Sequence, residues 1–377
     1  MTLAVFVGTR PNFVKAAAVV SAFAERGIDV QIIHSGQHVD ANLSGSFFTR
    51  FALPEPAHYL GVGLRSRGEQ LGEIVSRLAV LLPSLELDEL IVVGDVTSTA
   101  AGALAADSCE VPIAHVEAGL RSFDWTMAEE RYRRVVDSIA QRLLVSEPSG
   151  VAKLRSEGRD PSQIHFVGNV MIDTLLRFRP EAEDARHWEQ FGCEQRGYVL
   201  ATLHRPGNVD TPETLAECLD VLEVAARRAT VLFAAHPRTH ARIDRFGKEL
   251  PKGVRLLPPL DYLDFISLMS GALAVLTDSG GAQEETTILD VPCLTMRENT
   301  ERPITCELGT SRLVGRSVSA VDAAFEEIEA GVYPRAQPIP LWDGHAGERI
   351  AALMLGEGGL LPSGRRSVLP TGLDSRP

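Results

Sequence analysis

The segment Thr277-Asp-Ser-Gly-Gly-Ala-Gln-Glu-Glu285 follows an apolar run ending at Leu276 and opens a helical pattern. A strand–turn–helix of this kind leaves free N–H groups at the helix start, and adjacent glycines let an anion come close to the backbone. Ser279, Gly280 and Gly281 therefore form a candidate diphosphate cradle. Glu285, about one helical turn further in, offers an acceptor-only carboxylate suited to ribose hydroxyls. The competing reading is a plain turn with glycines for packing. A second such turn, Gly8-Thr-Arg-Pro-Asn-Phe-Val-Lys15, brings the planar fork of Arg10 and the point charge of Lys15 together. A solvated basic pair is its alternative. Neither turn has the GxGxxG fingerprint or a Walker loop, so nicotinamide and ATP chemistry have no support.

Asp95, Glu117 and Glu129–Glu130 follow successive apolar runs in the first half of the chain. Several acids on one edge can exchange protons with a C–H acid when burial and like charges tune them. For Asp95, just before Thr97 and Ser98, helix capping is the alternative, and His115 reads equally well as a hydrogen-bonded core histidine. His204-Arg205 ends a strand in the second half and can face a diphosphate from there. His236 and His240 are four apart, but Pro237 between them argues against a metal-binding helix. No His, Cys and carboxylate spacing fits zinc. The reading calls for no metal and no cofactor.

These residues need elements to position them. The coarse pattern is apolar strand, polar turn and amphipathic helix, repeated. Strands are expected at Leu3–Val7, Val30–His34, Leu90–Val93, Pro112–His115, Arg142–Val145 and Ile164–Val167, with helices at Phe13–Glu25, Arg67–Leu81, Ser98–Ala106 and Ala128–Ala140. The charged segment Arg179–Arg196 reads as a connection. A second series has strands at Tyr198–Leu203, Val231–Ala235, Val254–Leu257, Ala272–Leu276 and Val291–Thr295, and helices at Pro212–Arg228, Tyr262–Met269, Ala282–Leu289 and His345–Leu355. Such alternation implies parallel sheets with right-handed crossovers, an α/β fold of two Rossmann-like domains facing across a cleft. The expected division is 1–178 for the domain with the acids and 196–343 for the nucleotide domain. The helix at 344–356 is expected to pack back on the first domain, and 357–377 to form a disordered tail. Ligands of such sheets sit outside the carboxyl ends of the strands, where the motifs above cluster.

Composition narrows the classes. The 377 residues suit two domains, and a net charge of −13 argues against nucleic acid as a partner. The five cysteines are scattered without a Cys-x-x-Cys pair, which suits a reducing compartment. The opening MTLAVFVGTRP reads as a strand and not a leader, and no run approaches a membrane span. A cytoplasmic protein with no membrane partner is expected.

Taken together, the motifs resemble the non-hydrolysing UDP-N-acetylglucosamine 2-epimerases. The resemblance runs through GTRPNFVK (Gly8–Lys15), SGQH (Ser35–His38), VGDVTS (Val93–Ser98), AHVEAGLRSFD (Ala114–Asp124) and VGNVMID (Val167–Asp173). It continues with TLHRPGNV (Thr202–Val209), TDSGGAQEE (Thr277–Glu285), RENTERP (Arg297–Pro303) and LGTSRLVG (Leu308–Gly315). It implies a glycosyltransferase-B-like fold, a homodimer, and reversible conversion of UDP-GlcNAc to UDP-ManNAc without NAD or metal. The implied route is anti elimination of UDP to 2-acetamidoglucal and re-addition. On matched positions it implies Asp95, Glu117 and Glu129 as the acid/base set, with His204 beside the diphosphate. Arg10, Phe265, Ser279, Gly280, Gly281 and Glu285 match nucleotide contacts, with Lys15 and Arg302 as helpers. Gln37, Arg205 and His236 match part of a second, activating UDP-GlcNAc site.

The chain departs from the family pattern at several places. Pro-Glu-Glu-x-Asn-Arg reads Ala128-Glu-Glu-Arg-Tyr132-Arg133, the histidine after Asp137 is Ser138, and the glutamate of His-Arg-x-Glu-Asn is Gly207. Asn12 replaces a common acid, and Asp40 stands where a glutamine of the second site is usual. The alternatives are a hydrolysing epimerase releasing ManNAc and UDP, a UDP-sugar-dependent glycosyltransferase, and a UDP-sugar sensor without chemistry.

Overall fold

Two parallel sheets, each doubly wound, carry the chain. The computed structural model describes residues 1–36, 48, 50–63 and 65–357, apart from the side chain of Arg10. The first sheet contains β1 (Leu3–Val7), β2 (Val30–His34), β3 (His58–Tyr59), β4 (Glu89–Val93), β5 (Ile113–Ala118), β6 (Arg142–Val145) and β7 (Ile164–Phe166). Its order is β3-β2-β1-β4-β5-β6-β7. The second contains β8 (Tyr198–Thr202), β9 (Thr230–Phe233), β10 (Val254–Leu256), β11 (Ala274–Thr277), β12 (Cys293–Thr295) and β13 (Ser311–Leu313), in the order β10-β9-β8-β11-β12-β13. All pairings in both sheets are parallel. Every residue of β1 is buried, as it must be when helices cover both faces.

In each sheet the winding reverses direction once, between β1 and β4 and between β8 and β11. At such a switch point the loops leave in opposite directions and open a crevice. The Gly8–Lys15 turn follows β1, Gly94-Asp95 follows β4, His204-Arg205 follows β8, and Asp278–Gly281 follows β11. Topology thus puts all four motifs at switch points.

The helices that matter for the site are α1 (Arg10–Ala24), α2 (Arg67–Leu81), α3 (Thr97–Ser108), α4 (Ala128–Ile139), α5 (Pro148–Ser156) and α6 (Val170–Ala185). In the second half come α7 (Pro206–Val209), α8 (Pro212–Arg228), α9 (Pro237–Arg245), α10 (Tyr262–Ser270) and α11 (Gly280–Leu289), then α12 (Ile304–Glu307), α13 (Val318–Glu329) and α14 (Ala346–Met354). Among the described residues, no helix is long and apolar enough to cross a membrane.

The structure corrects one reading. Arg179–Arg196 is not a plain connection: α6 runs through Arg179 to Ala185, and a 3-10 turn follows at His187–Phe191. The buried Met171, Ile172, Leu175, Phe178 and Ala182 recur at helical spacing. Starting at Arg179 cuts that pattern in two and leaves only its charged end visible. This helix is the spine of the molecule. One apolar cluster runs from β1 and α1 through Ile172 and Leu175 to Leu263, Ile266 and the β8 residue Leu200. The last helix, α14, lies on α1 so closely that a Cβ on Gly347 would stand 2.4 Å from the Ala18 carbonyl oxygen. Asp173 of α6 caps it, accepting from Ala346 N at 3.1 Å and Gly347 N at 2.7 Å. Gln37, Asp40 and the tail from residue 358 lie outside the described residues.

Candidate active site

A cavity of about 580 Å³ lies between the two carboxyl edges. From the first sheet come Thr9, Asn12, Lys15, Gly94, Asp95 and Glu129; from the second come His204, Arg205, His236, Phe265, Ser279, Gly280, Gly281, Glu285, Glu301 and Arg302. Residues more than two hundred positions apart in sequence therefore share one wall-to-wall space. Gln37 and the side chain of Arg10 lie outside the description, and Glu117 sits behind the wall.

Asn12 shows how the first turn is held. Its Oδ1 accepts from Thr9 N at 3.1 Å and Thr9 Oγ1 at 3.0 Å, while its Nδ2 donates to Val93 O at 2.9 Å. The amide thus ties the β1 turn to the end of β4, beside Asp95. A carboxylate here could not donate to that carbonyl.

Asp95 is not a helix cap; Val96 takes that position at α3. Its carboxylate instead meets Arg133 of α4, with Nη2 at 2.7 Å and Nε at 2.9 Å. Burial would raise its pKa, but Arg133, Lys15 and Arg302 outweigh that and hold it below the ordinary value. Glu117 has φ 71° at a register shift in β5. A left-handed glutamate costs roughly 1–3 kcal/mol, and such a bulge re-aims the side chain. The strain turns Glu117 inward, where Lys15 Nζ donates to its Oε2 and Arg302 Nη2 stands 3.8 Å from its Oε1. Glu129 keeps a third of its side-chain surface exposed and faces Arg205 Nη1 at 3.6 Å. The neighbouring Glu130 is structural: it accepts from Ser122 N at 2.8 Å and pairs with Arg133 at 2.9 Å. His115 is a core histidine, with Nδ1 2.7 Å from Asp137 and Nε2 2.9 Å from the Gly94 carbonyl.

On the opposite wall, Asp278 organises the β8 turn. It accepts from the backbone N–H of His204 at 3.0 Å and Arg205 at 2.8 Å, and lies 2.9 Å from His204 Nδ1. Burial raises its pKa, but His204 and these donors hold it low. Helix α11 points its amino terminus into the cavity, with Ser279 as its N-cap. Gly280 has no room for a side chain: a Cβ would stand 2.4 Å from Arg302 Nη1. Gly281 is open on the cavity side apart from Met171 Cε at 3.5 Å and Ser279 Oγ at 4.0 Å. Glu285 lies at the floor beside Tyr262, and its burial pushes its pKa up to about 8. Glu284, next to it, is also raised by burial although Arg302 Nε binds it at 2.6 Å. Among the described residues, no group of three or more His, Cys, Asp or Glu is arranged to hold a metal ion.

Such a space can hold an anionic diphosphate at the α11 terminus while acids face what is attached to it. Residues 21–355 match the family model described as UDP-N-acetylglucosamine 2-epimerase. This chain belongs to the UDP-N-acetylglucosamine 2-epimerase family.

The UDP-N-acetylglucosamine 2-epimerase of Methanocaldococcus jannaschii is 35% identical over 371 residues, covering 94% of this chain and 99% of that protein. The structure of that epimerase in complex with UDP-GlcNAc and UDP aligns with a TM-score of 0.88, covering 94% of this chain and all of the other. A UDP-2,3-diacetamido-2,3-dideoxy-D-glucuronate 2-epimerase of Pseudomonas aeruginosa is 37% identical over 321 residues, 84% of this chain and 88% of that protein. A glycosyltransferase of kitacinnamycin, 12% identical with a TM-score of 0.56 over 94% of this chain and 98% of its own, shares the fold alone. The fold is glycosyltransferase-B-like.

The departures from the epimerase pattern fall mostly off the cavity. Tyr132 packs on the second apolar cluster, Ser138 is exposed with its hydroxyl on Val135 O, and Gly207 is exposed with nothing near it. None of the three lines the space, whereas Asn12 does. Reading the sequence missed Arg133, Asp278 and Glu301. Asp278 stood inside a quoted motif, and its position one residue before the cradle was the available signal. Arg133 and Glu301 also lie within motifs that match the family, but which partners they take, Asp95 for Arg133 and Arg133 and Arg205 for Glu301, depends on how distant segments fold together.

Proposed function

We propose that this epimerase-family chain interconverts UDP-GlcNAc and UDP-ManNAc by anti elimination and re-addition of UDP. The observation that carries the reading is the single cavity with Asp95 and Glu129 on one wall and the Ser279–Gly281 helix start on the other. In this reading a carboxylate of the Asp95, Glu117 and Glu129 set takes the C2 proton as the C1–O bond to UDP breaks, leaving a C1=C2 double bond. A proton then returns to the opposite face of C2 and a phosphate oxygen re-forms the bond to C1. Lys15, Arg302, His204 and the α11 terminus stabilise the departing diphosphate, and Glu285 accepts from the ribose. Glu117 can act only after Lys15 moves onto the diphosphate, which frees its Oε2. Binding and deprotonation are then one linked event.

The test is incubation with UDP-GlcNAc in deuterated water. Deuterium at C2 of both UDP-sugars is expected, and Asp95→Asn should lower kcat about a thousandfold while still binding UDP. Release of free ManNAc as the main product would replace this reading with the hydrolysing one. The Pseudomonas aeruginosa relative makes UDP-2,3-diacetamido-2,3-dideoxy-D-glucuronate the competing substrate, and turnover of that sugar alone would reassign the specificity.

A further inference from the structure

We propose that Glu301 is a positioning residue that couples the approach of the two lobes to the charge environment of the first-lobe acids; this rests on the epimerase reading. Glu301 lies between β12 and α12 and is 1% exposed. Its Oε1 is 2.5 Å from Arg302 Nη1, 3.6 Å from Arg133 Nη2 and 3.7 Å from Arg205 Nη2, and its Oε2 is 2.7 Å from Arg297 Nη2. Three of these four arginines also reach an acid of the first lobe. Arg133 holds Asp95 at 2.7 Å, Arg205 faces Glu129 at 3.6 Å, and Arg302 faces Glu117 at 3.8 Å.

One carboxylate therefore competes with all three acids for their cations. An opposite charge close by keeps a carboxylate ionised and makes it a weaker base. Sharing each guanidinium with Glu301 relaxes that hold, and Asp95 in particular feels Glu301 as a like charge. The competition needs the lobes together, because Glu301 and Arg302 belong to the second sheet and Asp95, Glu117 and Arg133 to the first. Separated lobes leave Arg133 to the first-lobe acids Asp95 and Glu130; apposed lobes share its Nη2 with Glu301 as well. Arg302 adds a cation to Glu117 only in the apposed state.

Glu301→Gln keeps the shape and removes the charge. With UDP-GlcNAc as substrate, kcat should fall on the order of 10- to 100-fold while the UDP Kd from calorimetry changes less than about threefold, a split expected for an interaction that acts on the chemical step. The acid limb of the kcat/KM profile should move to lower pH, since Asp95 loses a like-charged neighbour. Glu301→Asp, which restores the charge on a shorter arm, should recover part of the rate. Arg133→Lys serves if the glutamine variant does not fold: it keeps the charge but cannot span Asp95 and Glu301, and the same split is expected. A folded Glu301→Gln or Arg133→Lys with kcat within about twofold of wild type and an unmoved acid limb overturns the proposal. So does a loss of UDP affinity as large as the loss in kcat. Wild-type inactivity on UDP-GlcNAc would sink the epimerase reading instead. X-ray scattering then decides this proposal, with UDP expected to contract the wild type more than Glu301→Gln, and equal contraction overturning it.

Discussion

Two seams join the lobes, and they are made of opposite materials. Along the spine, α6 meets α10 and α11 through fully buried side chains such as Leu175, Ile266 and Met269. Across the cleft, the contacts are ionic: Arg133 with Glu301, Arg205 with Glu129 and Arg302 with Glu117. Apolar packing at close-packed density has one good arrangement and loses stability with any gap. Buried ion pairs repay little beyond their own desolvation. The difference teaches where each property lives. The spine holds the lobes in register, and the charged seam surrounds the candidate acids with little net contribution to stability.

The largest expected break of this contrast is on the spine. Ile266 is fully buried in the cluster that both lobes share, and Ile266→Ala should cost about 2–5 kcal/mol of stability by urea denaturation. Turnover per folded molecule should stay near wild type. A variant that is stable but slow would mean that the apolar seam also tunes the chemistry, and the division of labour would fail.

How much of this was legible in the sequence follows the same divide. β1, β2 and β6 coincide residue for residue with the expected runs, as do the helices Arg67–Leu81 and Pro212–Arg228. Short-range periodicity encodes these, and strand ends carry the turns, so the edge that holds the motifs could be read too. The two-residue β3 and the three-residue β13 are too short for any periodic signal. Helix α6 was half hidden because its carboxyl-terminal portion is charged and contains Pro180. In the site, residue types pointed to Ser279–Gly281 and the acids, and the family resemblance added Phe265 and Arg302. The left-handed Glu117 depends on a bulge, and the hub at Glu301 on Arg133 and Arg205, which tertiary folding brings in from distant segments. Local sequence supplies only Arg297 and Arg302 of that hub.

The next effect probes the charged seam through shape alone. In Gly280→Ala the new methyl would stand 2.4 Å from Arg302 Nη1 and 2.7 Å from Glu301 Oε1. Both side chains are the far ends of flexible residues, but each is buried and already bonded on several sides. Arg302 must leave either Glu284 or Glu301. UDP affinity and kcat/KM should each drop about 30-fold, roughly 2 kcal/mol, with the unfolding midpoint nearly unchanged. A midpoint loss like that of Ile266→Ala would show instead that the ionic seam carries stability.

The smallest effect per step is a slope in pH, and it separates the seams most cleanly. Glu285 has its pKa pushed up to about 8 by burial, while in the unfolded chain it titrates near 4.5. Between those values the folded protein holds a proton that the unfolded chain has lost, so stability falls as pH rises, by up to roughly 1.4 kcal/mol per pH unit. Below 4.5 both states are protonated and this contribution is level; above 8 both are ionised and the loss is complete. Glu285→Gln cannot ionise and should lack that slope. The difference in unfolding free energy between variant and wild type should therefore grow in the variant's favour from pH 5 to pH 8, with Glu147, whose burial raises its pKa to about 7, cancelling because both proteins carry it. Ile266→Ala, with no charge involved, should run parallel to wild type across the same range. Parallel curves for Glu285→Gln as well would mean that Glu285 is already ionised in the folded protein, and that the floor of the site is far better solvated than its burial implies.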